Sequence, residues 1–183
     1  ITNGSGSVNV NPGQNALGLP GGTLDDIFDA DVAPYSAGNG PTHGSGISIT
    51  FSADAGDTLQ WDWAFVTNER SPSPGNNPPN PGTYTDFAWY FLNYPTATDA
   101  GAALTHANDS NVTFTPSSTS FLDQVAYSTI SLAIPEAGTY TITVGVHDVQ
   151  DTNFDTGVIV DAFRLVKGPE PATGVLLLGG LLG

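Results

Sequence analysis

Apolar and polar residues alternate with a period of two through most of this chain, and that period sets the first expectation. Ile47, Ile49 and Phe51 alternate with Ser48, Thr50 and Ser52, and a turn at Ala55-Gly56-Asp57 leads into Leu59, Trp61, Trp63 and Phe65. Gln60, Asp62 and Ala64 separate those four large side chains. Such alternation predicts half-buried antiparallel strands, apolar face inward and polar face outward. Tyr140, Ile142, Val144 and Val146 repeat the pattern after a turn at Ala137-Gly138, and residues 158–166 predict a closing strand. Residues 86–92, DFAWYFL, are apolar on both faces and predict a central strand. Residues 112–115 and 130–134 predict further strands, whereas 96–111 are small, polar and loop-like.

The period shifts to that of a helix in one place. Leu24, Ile27 and Phe28 share a helical face, Thr23 stands where a capping residue would, and Asp26 lies three residues on. One short helix near residues 23–29 is therefore expected. Val8 to Val10 alternate briefly and suggest an edge strand or an arm that pairs elsewhere. Residues 71–82 hold five prolines and almost nothing apolar, so they read as an exposed, stiff loop. Seven or eight strands joined by turns predict an all-β, two-sheet antiparallel sandwich, jelly-roll-like in type. The expected division is an N-terminal arm, 1–12, flexible or strand-donating, a sandwich domain, 13–167, and a tail, 168–183.

Composition narrows the function. The 183 residues carry 18 acids against three bases, a formal charge of -15. Arg70, Arg164 and Lys167 cannot assemble a phosphate-binding surface, so nucleic acid is excluded as a partner. Divalent cations would be drawn to such a surface. There is no cysteine, hence no disulfide framework and no thiolate chemistry. The chain opens on Ile1 and contains no Met, which reads as a mature chain whose leader has been removed.

The end of the chain carries a resemblance. Pro169-Glu170-Pro171 is followed by an apolar run that includes Val175, Leu176, Leu177, Leu178, Leu181 and Leu182. Triplet and run together resemble the PEP-CTERM sorting signal of exported proteins in Gram-negative bacteria. Residues 17–26, 45–69 and 137–166 resemble the bodies of the same group. The resemblance implies processing by an exosortase-type membrane enzyme. It also implies a secreted protein of the outer cell surface or matrix in bacteria that make exopolysaccharide. One departure matters: the run from Gly174 is about half the roughly 20 residues of a spanning helix. The tail is therefore expected to be covered by something other than lipid: either the tail or the N-terminal arm is buried against a neighbouring subunit in a homopolymer, or the tail folds back on its own domain.

Candidate sites are few. Asp148, Asp151, Asp155 and Asp161, with amides at Gln150 and Asn153, could offer oxygens to Ca²⁺, although the spacing is not that of an EF-hand. Tyr84, Tyr90 and Tyr94 are candidates for stacking on a glycan. Trp61 and Trp63, in phase with Leu59 and Phe65, are expected in the core. His43, His106 and His147 lie in separate segments without ligand spacing, so no zinc triad is expected. No phosphate loop, nucleophile elbow or cysteine nucleophile is present, and no enzymatic activity is expected. Two functions follow: a self-assembling filament or sheath subunit, or a calcium-stabilised, lectin-like module for exopolysaccharide.

Overall fold

The computed structural model describes residues 1, 8–35, 40–69, 85–96, 98–107, 109–149 and 155–169, with the backbone alone at 8–13 and 35. In chain order the elements are β1 (Val8–Asn9), α1 (Val10–Leu17), α2 (Thr23–Asp31), a 3-10 turn (Ala33–Tyr35), β2 (Pro41–Ala53) and β3 (Thr58–Thr67). They continue with β4 (Phe87–Asn93), β5 (Ala100–His106), β6 (Phe114–Pro116), β7 (Asp123–Ala133), β8 (Gly138–Val149) and β9 (Thr156–Val166). The strands form two antiparallel sheets, β1-β2-β8-β4-β5 and β6-β7-β3-β9. The fold is the expected all-β sandwich.

Alternation builds the core between the sheets. Leu59, Trp61, Trp63 and Phe65 of β3 pack with Tyr140, Ile142, Val144 and Val146 of β8, all buried. The Trp61 ring stacks on Phe163 at a centroid distance of 5.6 Å and meets Tyr90 edge-on at 5.5 Å.

A second core lies on the other side of the five-stranded sheet. Phe87, Trp89 and Phe91 of β4 pack there with Val149 and with Leu19, Leu24, Ile27, Phe28 and Val32 of the helical segment. Ala88 and Leu92, the alternate residues of β4, belong to the first core. This explains why residues 86–92 are apolar on both faces: β4 is covered by helices on one side and by a sheet on the other.

Three sequence expectations are corrected. Two helices stand where one was expected. Residues 10–17, VNPGQNAL, show no helical period and straddle the boundary between the expected arm and sandwich, yet they form α1, with Pro12 in the first helical turn, where amides have no intrahelical acceptor. Thr23 does not cap α2. The cap is Gly22 at φ 87°, and the Thr23 hydroxyl donates back to the Pro20 carbonyl at 2.8 Å. Buried Gln14 of α1 supplies the acceptor instead, taking the Leu24 N–H on its Oε1 at 3.1 Å. Finally, the stretch read as loop contains β5. Its Gly101 admits Phe91 and Ile27, whose side chains lie 3.0 and 3.1 Å from where a Cβ would stand.

Candidate functional site

Among the described residues, one side of the sandwich is open. β2 is bordered by β8 on one side, but on its outer side β1 pairs only with His43 and Gly44. β9 is the edge of the opposite sheet. Its outer side is met by Ile1, whose backbone N donates to the Val158 carbonyl at 3.1 Å and whose carbonyl accepts the Val158 N–H at 2.9 Å. Between the two edges runs an apolar groove of about 160 Å³ lined by Ile49, Phe51, Leu59, Ile142, Phe163 and Leu165, with Arg164 beside them. The alternation of β2 is satisfied incompletely here: Ile47 and Ile49, which point between the sheets, remain 40% and 37% exposed.

The exit of β9 is fixed firmly. The buried carboxylate of Asp57, in the turn after β2, accepts the backbone N–H groups of Asp54 at 2.9 Å and Gly168 at 3.0 Å. Lys167 Nζ donates to the same carboxylate at 3.0 Å and to Asp54 at 2.9 Å. These backbone donors, with Lys167 adding its charge, hold the Asp57 carboxyl at about 2, below the ordinary 3.8.

The polar face of β2 borders a cleft on the helical side of the sheet. A cavity of about 440 Å³ is lined by Ser48, Thr50, Thr141, Thr143, Asn15 and Asn93 together with Leu17, Leu19 and Phe91. A second, of about 220 Å³ beside Thr23, Asp26, Ile27 and Asp99, meets the first at Phe91. Hydroxyl pairs join the strands, Ser48 to Thr143 at 2.8 Å and Thr50 to Thr141 at 3.0 Å, and Asn93 Nδ2 donates to Asp99 at 3.0 Å. Among the described residues no Lys or Arg lines either cavity.

The histidines, separate in sequence, align in the fold. Pairing sets Gly44 of β2 opposite His147 of β8, His147 opposite Phe87 of β4, and Phe87 opposite His106 of β5, with His43 next to Gly44. The Trp89 Nε1–H donates to His147 Nδ1 at 2.9 Å, which places the imidazole proton on Nε2. Burial, with His43 adding to it, pushes the His147 pKa down to about 3. Its ring lies on Gly44, where a Cβ would come within 2.4 Å, and the Trp89 ring lies on Gly145, where a Cβ would come within 2.5 Å. This neutral, close-packed arrangement holds the sheet together. Among the described residues no group of three or more His, Asp or Glu side chains is placed to hold a metal ion.

Of the residues singled out from sequence that the structure describes, Asp148 is buried in β8, and its carbonyl accepts the Thr42 hydroxyl at 3.3 Å. Asp155 is exposed just before β9, and Asp161 is exposed opposite Asp62 within it. Asp161 lies six residue steps along the strand from Asp155, roughly 20 Å at about 3.3 Å per step, so they do not share one ion. Asp151 lies outside the described residues, as do Tyr84 and Glu170, Pro171, Val175, Leu176, Leu177, Leu178, Leu181 and Leu182 of the tail. Pro169 is exposed. Tyr90 and Tyr94 are half-buried against Trp61 and Tyr140. The groove and the cleft escaped the sequence reading because neither shows in the residue types of a single segment.

Fold and surface together define a two-sheet β-sandwich left open along one seam. No family model matches the chain, and no curated protein aligns with it significantly. No helix among the described residues is long and apolar enough to cross a membrane.

Proposed function

We propose that this protein is an exported structural subunit of the bacterial surface or extracellular matrix, whose copies assemble into a filament or sheath by burying a terminal segment in a neighbour. The observation that carries the reading is the open seam, where Ile47 and Ile49 stay exposed beside an apolar groove in a strongly acidic chain. An apolar edge of this kind is a template for strand addition unless something covers it. The likeness of the tail to a PEP-CTERM signal supports export, with exosortase-type processing. Sedimentation velocity and negative-stain microscopy of the full chain test the reading. Ordered polymers are expected, and a monodisperse monomer at all concentrations would remove it.

A second reading rests on the cleft. Hydroxyls, amides and the Asp99 carboxylate around Phe91, without a cation, are the groups that bind neutral saccharides. Titration calorimetry with neutral oligosaccharides is expected to give binding that falls at least tenfold in Asn93→Ala. Equal affinity in that variant, or no heat at all, discards a lectin-like role.

A further inference from the structure

We infer that the groove between β2 and β9 receives the apolar tail, residues 174–182, of a second copy of this chain, added as a strand along β2. This rests on the assembly reading above and specifies its joint.

The dimensions agree. The outer side of β2 beyond β1 offers residues 46–53, roughly 26 Å of strand, and the tail offers roughly 30 Å at about 3.3 Å per residue. The chemistry agrees as well. An extended tail presents Val175, Leu177 and Leu181 on one face and Leu176, Leu178 and Leu182 on the other, so either face can meet Ile47, Ile49 and Phe163.

Charge and apolarity are compatible with the tail as the occupant. Residues 171–183 carry no charged side chain in a chain of -15 and hold five leucines and a valine, so this segment brings apolar surface to another copy without adding to the repulsion. The groove is lined by no acid, and its one charged residue is Arg164.

The exit geometry selects a second copy over the same one. β9 and β2 end at the same pole of the sandwich, where Asp57 holds Gly168. To enter its own groove the chain must reverse immediately. The next residues are Pro169-Glu170-Pro171, whose fixed φ angles and pre-proline restriction favour an extended path of about 3.1 Å per residue. That restriction favours delivery of the tail to a neighbour's groove over its own. Each copy then gives a tail at one place and takes one at another, a heterologous contact that propagates as an open filament.

Because the chain has no cysteine, an engineered pair tests this cleanly. Full-length Ile49→Cys and mass-tagged Leu177→Cys are mixed, assembled and oxidised. A disulfide between the two species is expected, with none when Ser131→Cys, on the far sheet, replaces Ile49→Cys. In parallel, Ile49→Lys, at an exposed position where tryptophan fluorescence checks the fold, is expected to raise the concentration needed for assembly at least tenfold. If the native chain polymerises but Ile49→Lys polymerises equally and no 49–177 disulfide forms, the inference falls while the assembly reading stands. If a doubly substituted chain forms this disulfide only within itself, the tail serves its own copy and the inference falls. If the native chain never polymerises, the assembly reading fails and takes the inference with it.

Discussion

His147 shows how little a side chain's type says before its neighbours are known. As a sequence feature it is one histidine before an acidic stretch. In the fold it is buried on Gly44 and accepts a hydrogen bond from Trp89, which leaves it neutral. Replacing Trp89 with Phe keeps most of the ring but leaves the buried Nδ1 without its donor. A loss of about 1–3 kcal/mol in urea unfolding is expected. The same burial predicts a pH dependence. His147 has a pKa of about 3 in the fold against about 6.5 in the open chain, so the unfolded chain binds the extra proton between those values. Its stabilising effect is complete above pH about 6.5 and is lost as the pH falls towards 3. His106, pushed down chiefly by burial, adds in the same direction. Unfolding midpoints measured from pH 7 to 3.5 should therefore fall, and His147→Gln should flatten the slope.

Among the elements, those with strict alternation were legible and those shaped by neighbours were not. β2, β3 and β8 carry their period in the residues themselves. β5 does not, because AGAALTH is small to let Phe91 and Ile27 approach, a demand set by elements distant in sequence. α1 was hidden by a proline and a glycine that look like a turn, and its Gln14 serves α2 rather than itself. At the exit of β9, Asp57 ties the strand end to the turn after β2. Its carboxyl titrates near 2 instead of 3.8, so this tie holds above pH about 4 and is lost as the pH falls towards 2. Asp57→Asn, which removes the charge facing Lys167, should lower the thermal midpoint at pH 7 and narrow its difference from the midpoint at pH 2.5. Asp161, roughly 20 Å along β9 from Asp155, is too distant to share an ion with it. Asp161→Asn should leave the response of the thermal midpoint to calcium and EDTA unchanged.

For the whole molecule, charge would oppose the proposed assembly and apolar burial would drive it. Fifteen net negative charges on each copy repel at low salt, and the screening length shrinks from about 30 Å at roughly 0.01 M to about 3 Å at roughly 1 M. The concentration at which polymers sediment should therefore drop as sodium chloride rises over that range. A threshold indifferent to salt would mean that the joint lies where the surface field is already cancelled. By itself, the sequence determined the sandwich, the aromatic core and the strongly negative net charge, because alternation and charge are properties of neighbouring residues and of sums. Only the tertiary structure decided that β2 has a two-residue partner on its outer side while β9 ends its sheet, that His147 and His106 fall in one row with His43 beside it, and that Asp155 and Asp161 lie too far apart to share an ion. Those outcomes depend on strand order and register, and a two-residue period is indifferent to which strand lies alongside.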